Sequence, residues 1–166
     1  MHTSRAVLPV LREQGGGHII QVSSVGGRLA SPGLSAYQSA KWAVGGFSEV
    51  LAAETASFGV RVTVVEPGGM RTEWGAASME VAEASGPYRE LMAGAAKRRN
   101  DFDTRAPDPV RVARAILTVA SLDEPPLRLL LGSDAYEYGR AAWSARVAED
   151  AKWEELSRSA DFPKGE

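Results

Sequence analysis

With 166 residues, 44% of them hydrophobic and 24% charged, the sequence has the composition of one ordinary globular domain, 1–166, with a single sizeable core. A formal net charge of −2 gives no basic footprint for nucleic acid, and the absence of cysteine excludes a disulfide framework, a thiolate metal site and a thiol nucleophile. No apolar run approaches the ~20 residues that span a bilayer, and the opening MHTSRAVLPVLREQ is too short and too charged for a secretory leader, so no membrane partner and a cytoplasmic location are the default expectations.

Ala6, Val7, Val10 and Leu11 recur at helical spacing and predict a helix over 3–14. Gly15, Gly16 and Gly17 break it before the β-branched run Ile19, Ile20 and Val22, which reads as a strand. A phosphate cradle follows a strand and opens a helix, whereas these glycines precede the strand, so they read as a helix stop and turn. A long helix over 35–58 carries Ala40, Val44, Phe47 and Leu51 on its apolar face, with Gly59 as its cap. VRVTVVEPGG then reads as a buried strand ending at Pro67 and Gly68.

The segment 73–107 lacks clear periodicity beyond a short helix near PYRELMAGAAKRR and reads as an excursion. Asp108 and Pro109 open a helix with Val112, Ile116, Val119 and Ala120 on one face. After Pro125 and Pro126, LRLLLG is a further strand, and a last helix starts at Asp134, read as its cap. Strands alternating with amphipathic helices predict an α/β fold, a parallel sheet covered on both faces, whose ligands sit beyond the carboxyl ends of the strands. Ser24 lies at one such end and Pro67-Gly68 at another.

Tyr37 and Lys41 are four apart and share a helix face. An ammonium beside a phenol favours the phenolate, which makes Tyr37 a candidate proton donor and acceptor. Ser24 precedes Tyr37 by thirteen positions, with a loop between them that can return the hydroxyl toward the phenol. Two such donors on one oxygen would polarise a carbonyl or take the proton of an alcohol. The hydride must come from a cofactor, since no side chain supplies one.

The competing readings are plainer. A Tyr-x-x-x-Lys pair alone is a common accident of a solvated helix. Pro67-Gly68 alone is a strand-to-loop turn. Trp42 and Trp74 read as core packing, His2 and His18 as surface or turn residues, and Lys97, Arg98 and Arg99 as a solvated helix face. A hydrolase is disfavoured: no G-x-S-x-G, S-x-x-K or H-E-x-x-H occurs, and Ser24 has no plausible histidine base.

The combination of a strand-end serine, the thirteen-residue interval, YQSAK on a helix and VRVTVVEPGGMRT after it resembles the classical short-chain dehydrogenase/reductase (SDR) family. The resemblance is strongest from Arg5 to Thr72 and continues more loosely through PPLRLLLGSDA and WEELSRSADF. It implies a partial Rossmann-like, doubly wound parallel sheet of about three strands flanked by helices. It also implies hydride transfer between NAD or NADP and an alcohol or carbonyl substrate, with Tyr37 as acid and base and also in contact with the cofactor, Ser24 orienting the reacting oxygen and Lys41 holding the nicotinamide ribose. Pro67, Gly68, Gly69 and Thr72 would lie along the nicotinamide, the excursion 73–107 would face the substrate, and no metal is implied. Glu66 stands where the family often has asparagine.

Compared with that family, the strand, glycine-rich turn and helix that hold the adenosine and pyrophosphate are not recognisable, so the expectation is a truncated chain with weak cofactor affinity. The strand HIIQVSS would then form an exposed sheet edge. Relatives pair through the helices matching 3–14 and 35–58, which implies a homo-oligomer. Small Ala40, Ala43, Gly45 and Gly46 suit close packing there, and a catalytically silent oligomerisation module is the alternative reading.

Overall fold

In the computed structural model, residues 1–72, 83–103 and 106–162 are described. The chain runs α1 (His2–Glu13), β1 (Gly17–Val22), α2 (Ser35–Thr55), β2 (Val60–Pro67), α3 (Arg89–Asp103), α4 (Pro109–Ala120), β3 (Arg128–Leu131), α5 (Ser133–Lys152) and α6 (Glu154–Arg158). Short 3-10 turns sit at Val25–Gly27, Ala56–Phe58 and Gly86–Tyr88. The three strands are parallel and ordered β1–β2–β3. Gly17 pairs with Val60 and Val22 with Val65, while Val64 pairs with Arg128 and Pro67 with Leu131. This is a three-stranded parallel α/β sheet flanked by helices, a fragment of a doubly wound, Rossmann-like fold.

β2 is the central strand, and every residue of it but Arg61 is buried. A strand covered on both faces reads as a continuous apolar run, which VRVTVVEP nearly is. Its polar members each have partners. Arg61 Nη1 donates to the carbonyls of Leu122 (2.7 Å) and Asp123 (3.1 Å), and Thr63 Oγ1 donates to Pro126 O at 2.8 Å. Val65, Val112 and Leu131 form a buried cluster, with Ile20, Met70, Ala115, Ile116 and Leu129 packed on it.

Asp108 caps α4 as its sequence predicts, accepting from Val110 N at 2.8 Å, but Ala120 is exposed and Ala115 takes its place against the core. Gly59 ends the α2 region with φ +69°, the left-handed conformation glycine tolerates. The segment expected to be largely irregular carries a fifteen-residue helix, α3, while residues 73–82 and 104–105, Trp74 among them, lie outside the described residues.

The buried face of α2 differs from the expected apolar one. Gln38, Gly45, Ser48, Leu51 and Thr55 face inward, whereas Ala40 is exposed and Val44 and Phe47 are only partly covered. The inward hydroxyls are tied to their own helix, Ser48 Oγ to Val44 O and Thr55 Oγ1 to Leu51 O, both at 2.7 Å, so their burial leaves no hydroxyl unbonded. Small and self-satisfied side chains let the helix lie close to β2 and to the turn after β1. α1 behaves alike: its buried residue is Ser4, bonded by Gln21 Nε2 at 2.7 Å, while Val10 is exposed. His18 is half-buried in β1, with Nε2 2.9 Å from Thr63 Oγ1, and is not the surface residue its sequence context suggests.

Candidate active site at the carboxyl ends of the strands

Because β1 and β2 run parallel and in register, both deliver their last residues to the same edge of the sheet. Ser23 continues the ladder, its N–H donating to Val65 O at 2.9 Å, and Ser24 follows in an extended conformation. There the Ser24 hydroxyl accepts from Gly26 N at 3.0 Å, capping the turn Val25–Gly27. Its own proton reaches Pro67 O at 3.4 Å, a long and weak bond.

The turn lies flat on α2. A Cβ on Gly26 would stand 3.1 Å from Tyr37 Cε1 and 3.4 Å from Ser24 Oγ, and one on Gly27 would stand 2.9 Å from Lys41 O. Glycine at both positions therefore lets Ser24 and Tyr37 close on the same spot. Ser23 Oγ donates to Lys41 O at 3.1 Å, fixing the helix against the strand end. Lys41 Nζ donates to Val22 O at 3.2 Å and stands 5.8 Å from the centre of the Tyr37 ring. Ser24, Tyr37 and Lys41 thus lie together at one end of β1.

Pro67 is buried at the end of β2. The two glycines after it turn their amides into the protein: Gly68 N donates to Leu131 O at 3.0 Å and Gly69 N to Asp134 Oδ2 at 2.8 Å. They shape the turn and spend their donors within the chain. Thr72 N donates to Met70 O at 2.8 Å, and the Thr72 side chain is exposed beyond that turn.

Two features were not foreseen. Glu66, beside Pro67, is completely buried and bridges two arginines: Arg28 Nε and Nη2 lie 2.9 and 2.5 Å from Oε2, and Arg128 Nη1 lies 2.7 Å from Oε1. Arg128 Nε also meets Glu49 Oε1 at 2.6 Å, tying α2 into the network. The available signal was a carboxylate directly after the apolar pair Val64 and Val65 in a strand covered on both faces, which demands buried partners. Asp134, expected to cap α5, sits within its first turn after Gly132 and anchors Gly69 instead.

Trp42 does not enter the core. It is 40% exposed, donates from Nε1 to Leu29 O at 3.2 Å, and carries the Arg146 guanidinium 4.5 Å from a ring centre. With Leu29, Pro32 and Gln38 it lines an open hollow of about 740 Å³ on the next face of α2, which Ser24, Tyr37 and Lys41 do not line. Gly45 also serves this chain's own packing, since a Cβ there would collide with the Arg128 guanidinium. Lys97 is exposed, and the side chains of Arg98 and Arg99 lie outside the described residues. Among the described residues, no three His, Cys, Asp or Glu side chains are grouped to hold a metal ion, and no helix is long and apolar enough to cross a membrane.

A parallel Rossmann-like sheet with a hydroxyl, a phenol and an ammonium at its carboxyl edge defines an α/β fold of the kind that binds ligands beyond its strand ends. Residues 1–82 match the family described as short chain dehydrogenase. The chain is 53% identical over 158 residues to Oxidoreductase BOA17 of Botryotinia fuckeliana, a match covering 95% of this chain and 58% of that protein. The crystal structure of a short-chain dehydrogenase from Streptomyces avermitilis has a TM-score of 0.83 at 36% identity, over 95% of this chain and 57% of that one. A Burkholderia cenocepacia short chain dehydrogenase in complex with NADP has a TM-score of 0.56 at 26% identity, over 89% and 51%. The chain is thus similar to SDR-type oxidoreductases, and it spans somewhat more than half the length of these relatives.

Proposed function

We propose that the protein acts as an NAD(P)-dependent oxidoreductase of the short-chain type on an alcohol or carbonyl substrate. The observation that carries this reading is the convergence of Ser24 Oγ and the Tyr37 ring on Gly26, with Lys41 Nζ 5.8 Å from that ring. The similar proteins, one of them in complex with NADP, support it.

The donor set suits such a cofactor. An ammonium has three N–H groups, and one of those on Lys41 is used at Val22 O, so the others can meet ribose hydroxyls. When bound, the dinucleotide supplies or accepts the hydride at nicotinamide. The Ser24 hydroxyl exchanges its weak 3.4 Å bond to Pro67 O for the substrate oxygen and orients it. Tyr37 gives its proton to that oxygen in reduction and takes it back in oxidation. The hydrogen-bonded turn Val25–Gly27 holds the serine in place, so little ordering is left to the moment of reaction.

The test is a titration of the four tryptophans' fluorescence with NADH and NADPH, followed by turnover with simple ketones and alcohols. A saturable response with either dinucleotide supports the reading. No response to either overturns it for this chain.

A second reading, an oligomerisation module without catalysis, is favoured by Val10 on α1 and Val50 on α2, which are 56% and 58% exposed on the two helices expected to pair subunits. Sedimentation of a concentrated dimer that ignores both dinucleotides would favour it over the first.

A further inference from the structure

We infer that Asp134 is a positioning residue for the turn Pro67–Gly69 and, through that turn, for the nicotinamide side of the site; the inference rests on the redox reading above. Asp134 lies in the first turn of α5 yet caps nothing there, since Oδ2 is taken by the Gly69 amide and Oδ1 has no partner among the described residues. Its side chain is turned to the turn after β2, and the residue is buried, with 4% exposed. Oδ2 accepts the Gly69 amide at 2.8 Å, while the preceding amide, Gly68, is held by Leu131 O at 3.0 Å. Successive amides of the turn are thus fastened to the end of β3 and the start of α5.

The neighbouring residues make room for this carboxylate. A Cβ on Gly68 would collide with it, and a Cβ on Gly132 would stand 2.5 Å from Oδ1. Oδ1 has no hydrogen-bond partner among the described residues. A buried carboxylate with an idle oxygen is a costly way to fill space, and an apolar residue would pack there at lower cost. What the carboxylate adds is a charge-assisted bond to Gly69, stronger than a neutral acceptor gives, in a place where the N-terminal end of α5 favours negative charge. The shape of the turn therefore depends on a residue 65 positions further on, outside the residues 1–82 that match the family.

The experiment uses the full chain labelled with 15N, compared with Asp134→Ala and Asp134→Asn. Asparagine keeps an oxygen acceptor for Gly69, whereas alanine removes it. In the alanine variant, amide exchange at Gly69 should rise at least ~10-fold and the NADPH dissociation constant should rise about tenfold, while exchange in β1 and β2 stays near wild type. The asparagine variant should recover most of both effects. Unchanged exchange at Gly69 in the alanine variant overturns the inference. Should that variant not fold, wild type and asparagine decide: a few-fold faster exchange confined to the turn supports the anchor, and equal rates overturn it. If wild type binds neither dinucleotide, the redox reading fails, and exchange at Gly69 still decides whether Asp134 sets the turn.

Discussion

Arg28 meets the buried Glu66 with two guanidinium nitrogens on one carboxylate oxygen, Nε at 2.9 Å and Nη2 at 2.5 Å. Arg28 directly follows the turn headed by Ser24, and Glu66 directly precedes Pro67. The two loops of the site are therefore joined twice, by this ion pair and by the Ser24–Pro67 hydrogen bond. Arg128 on β3 takes the other oxygen, so one carboxylate bonds three segments together.

Removing this carboxylate leaves two arginines facing a polar void. Glu66→Ala should destabilise the fold by about 3 kcal/mol, the scale seen when one partner of a buried pair is deleted. Arg28→Ala should cost less, because Arg128 still neutralises the carboxylate. Urea unfolding followed by tryptophan fluorescence checks the order; a glutamate variant as stable as wild type would contradict the account.

Neighbouring glycines in α2 should respond in opposite directions. A Cβ on Gly45 runs into the Arg128 guanidinium, which two carboxylates hold in place, whereas nothing lies within 4 Å of a Cβ on Gly46. Gly46→Ala should gain roughly 0.5–1 kcal/mol from helix propensity, while Gly45→Ala should lose stability despite the same propensity gain. Thermal midpoints of the two variants measure the contrast.

His18 should make stability fall on mild acidification. Burial, and then the nearby Arg61 charge, lower its pKa below 6.5, with the Ala120 carbonyl acting weakly the other way. The unfolded chain then binds this proton more readily than the folded one, so the contribution is complete above pH 6.5 and is lost as pH falls from there through the folded value. Urea midpoints measured on both sides of that window should decline toward acid in wild type, and the decline should flatten in His18→Gln.

Under the proposed activity, Tyr37→Phe should lower kcat by about 100-fold or more and leave dinucleotide affinity nearly unchanged, since only the proton donor is lost. Lys41→Ala should instead weaken dinucleotide binding as well. Steady-state kinetics paired with fluorescence titration separates the two patterns. Equal effects of both substitutions on affinity would argue that Tyr37 serves binding alone.

The alternation of apolar strands with helices, the cap at Asp108 and the thirteen-residue interval between Ser24 and Tyr37 were legible in the sequence, because each is a local pattern with a local physical cause. Periodicity sets an element, and two parallel strands in register bring their ends together. The buried faces of α1 and α2 were not legible. Ser4, Ser48 and Thr55 go inward because their hydroxyls find partners and their small size allows close approach, which outweighs the apolar pattern beside them.

By itself the sequence determined a parallel α/β sheet and the three side chains gathered at its carboxyl edge. Only the tertiary structure decided what holds that edge together: Glu66 between Arg28 and Arg128, and Asp134 on the Gly69 amide. The physical reason is separation along the chain. These partners lie 38, 62 and 65 residues apart, and a buried charge announces that it needs a partner without naming which distant residue will supply it.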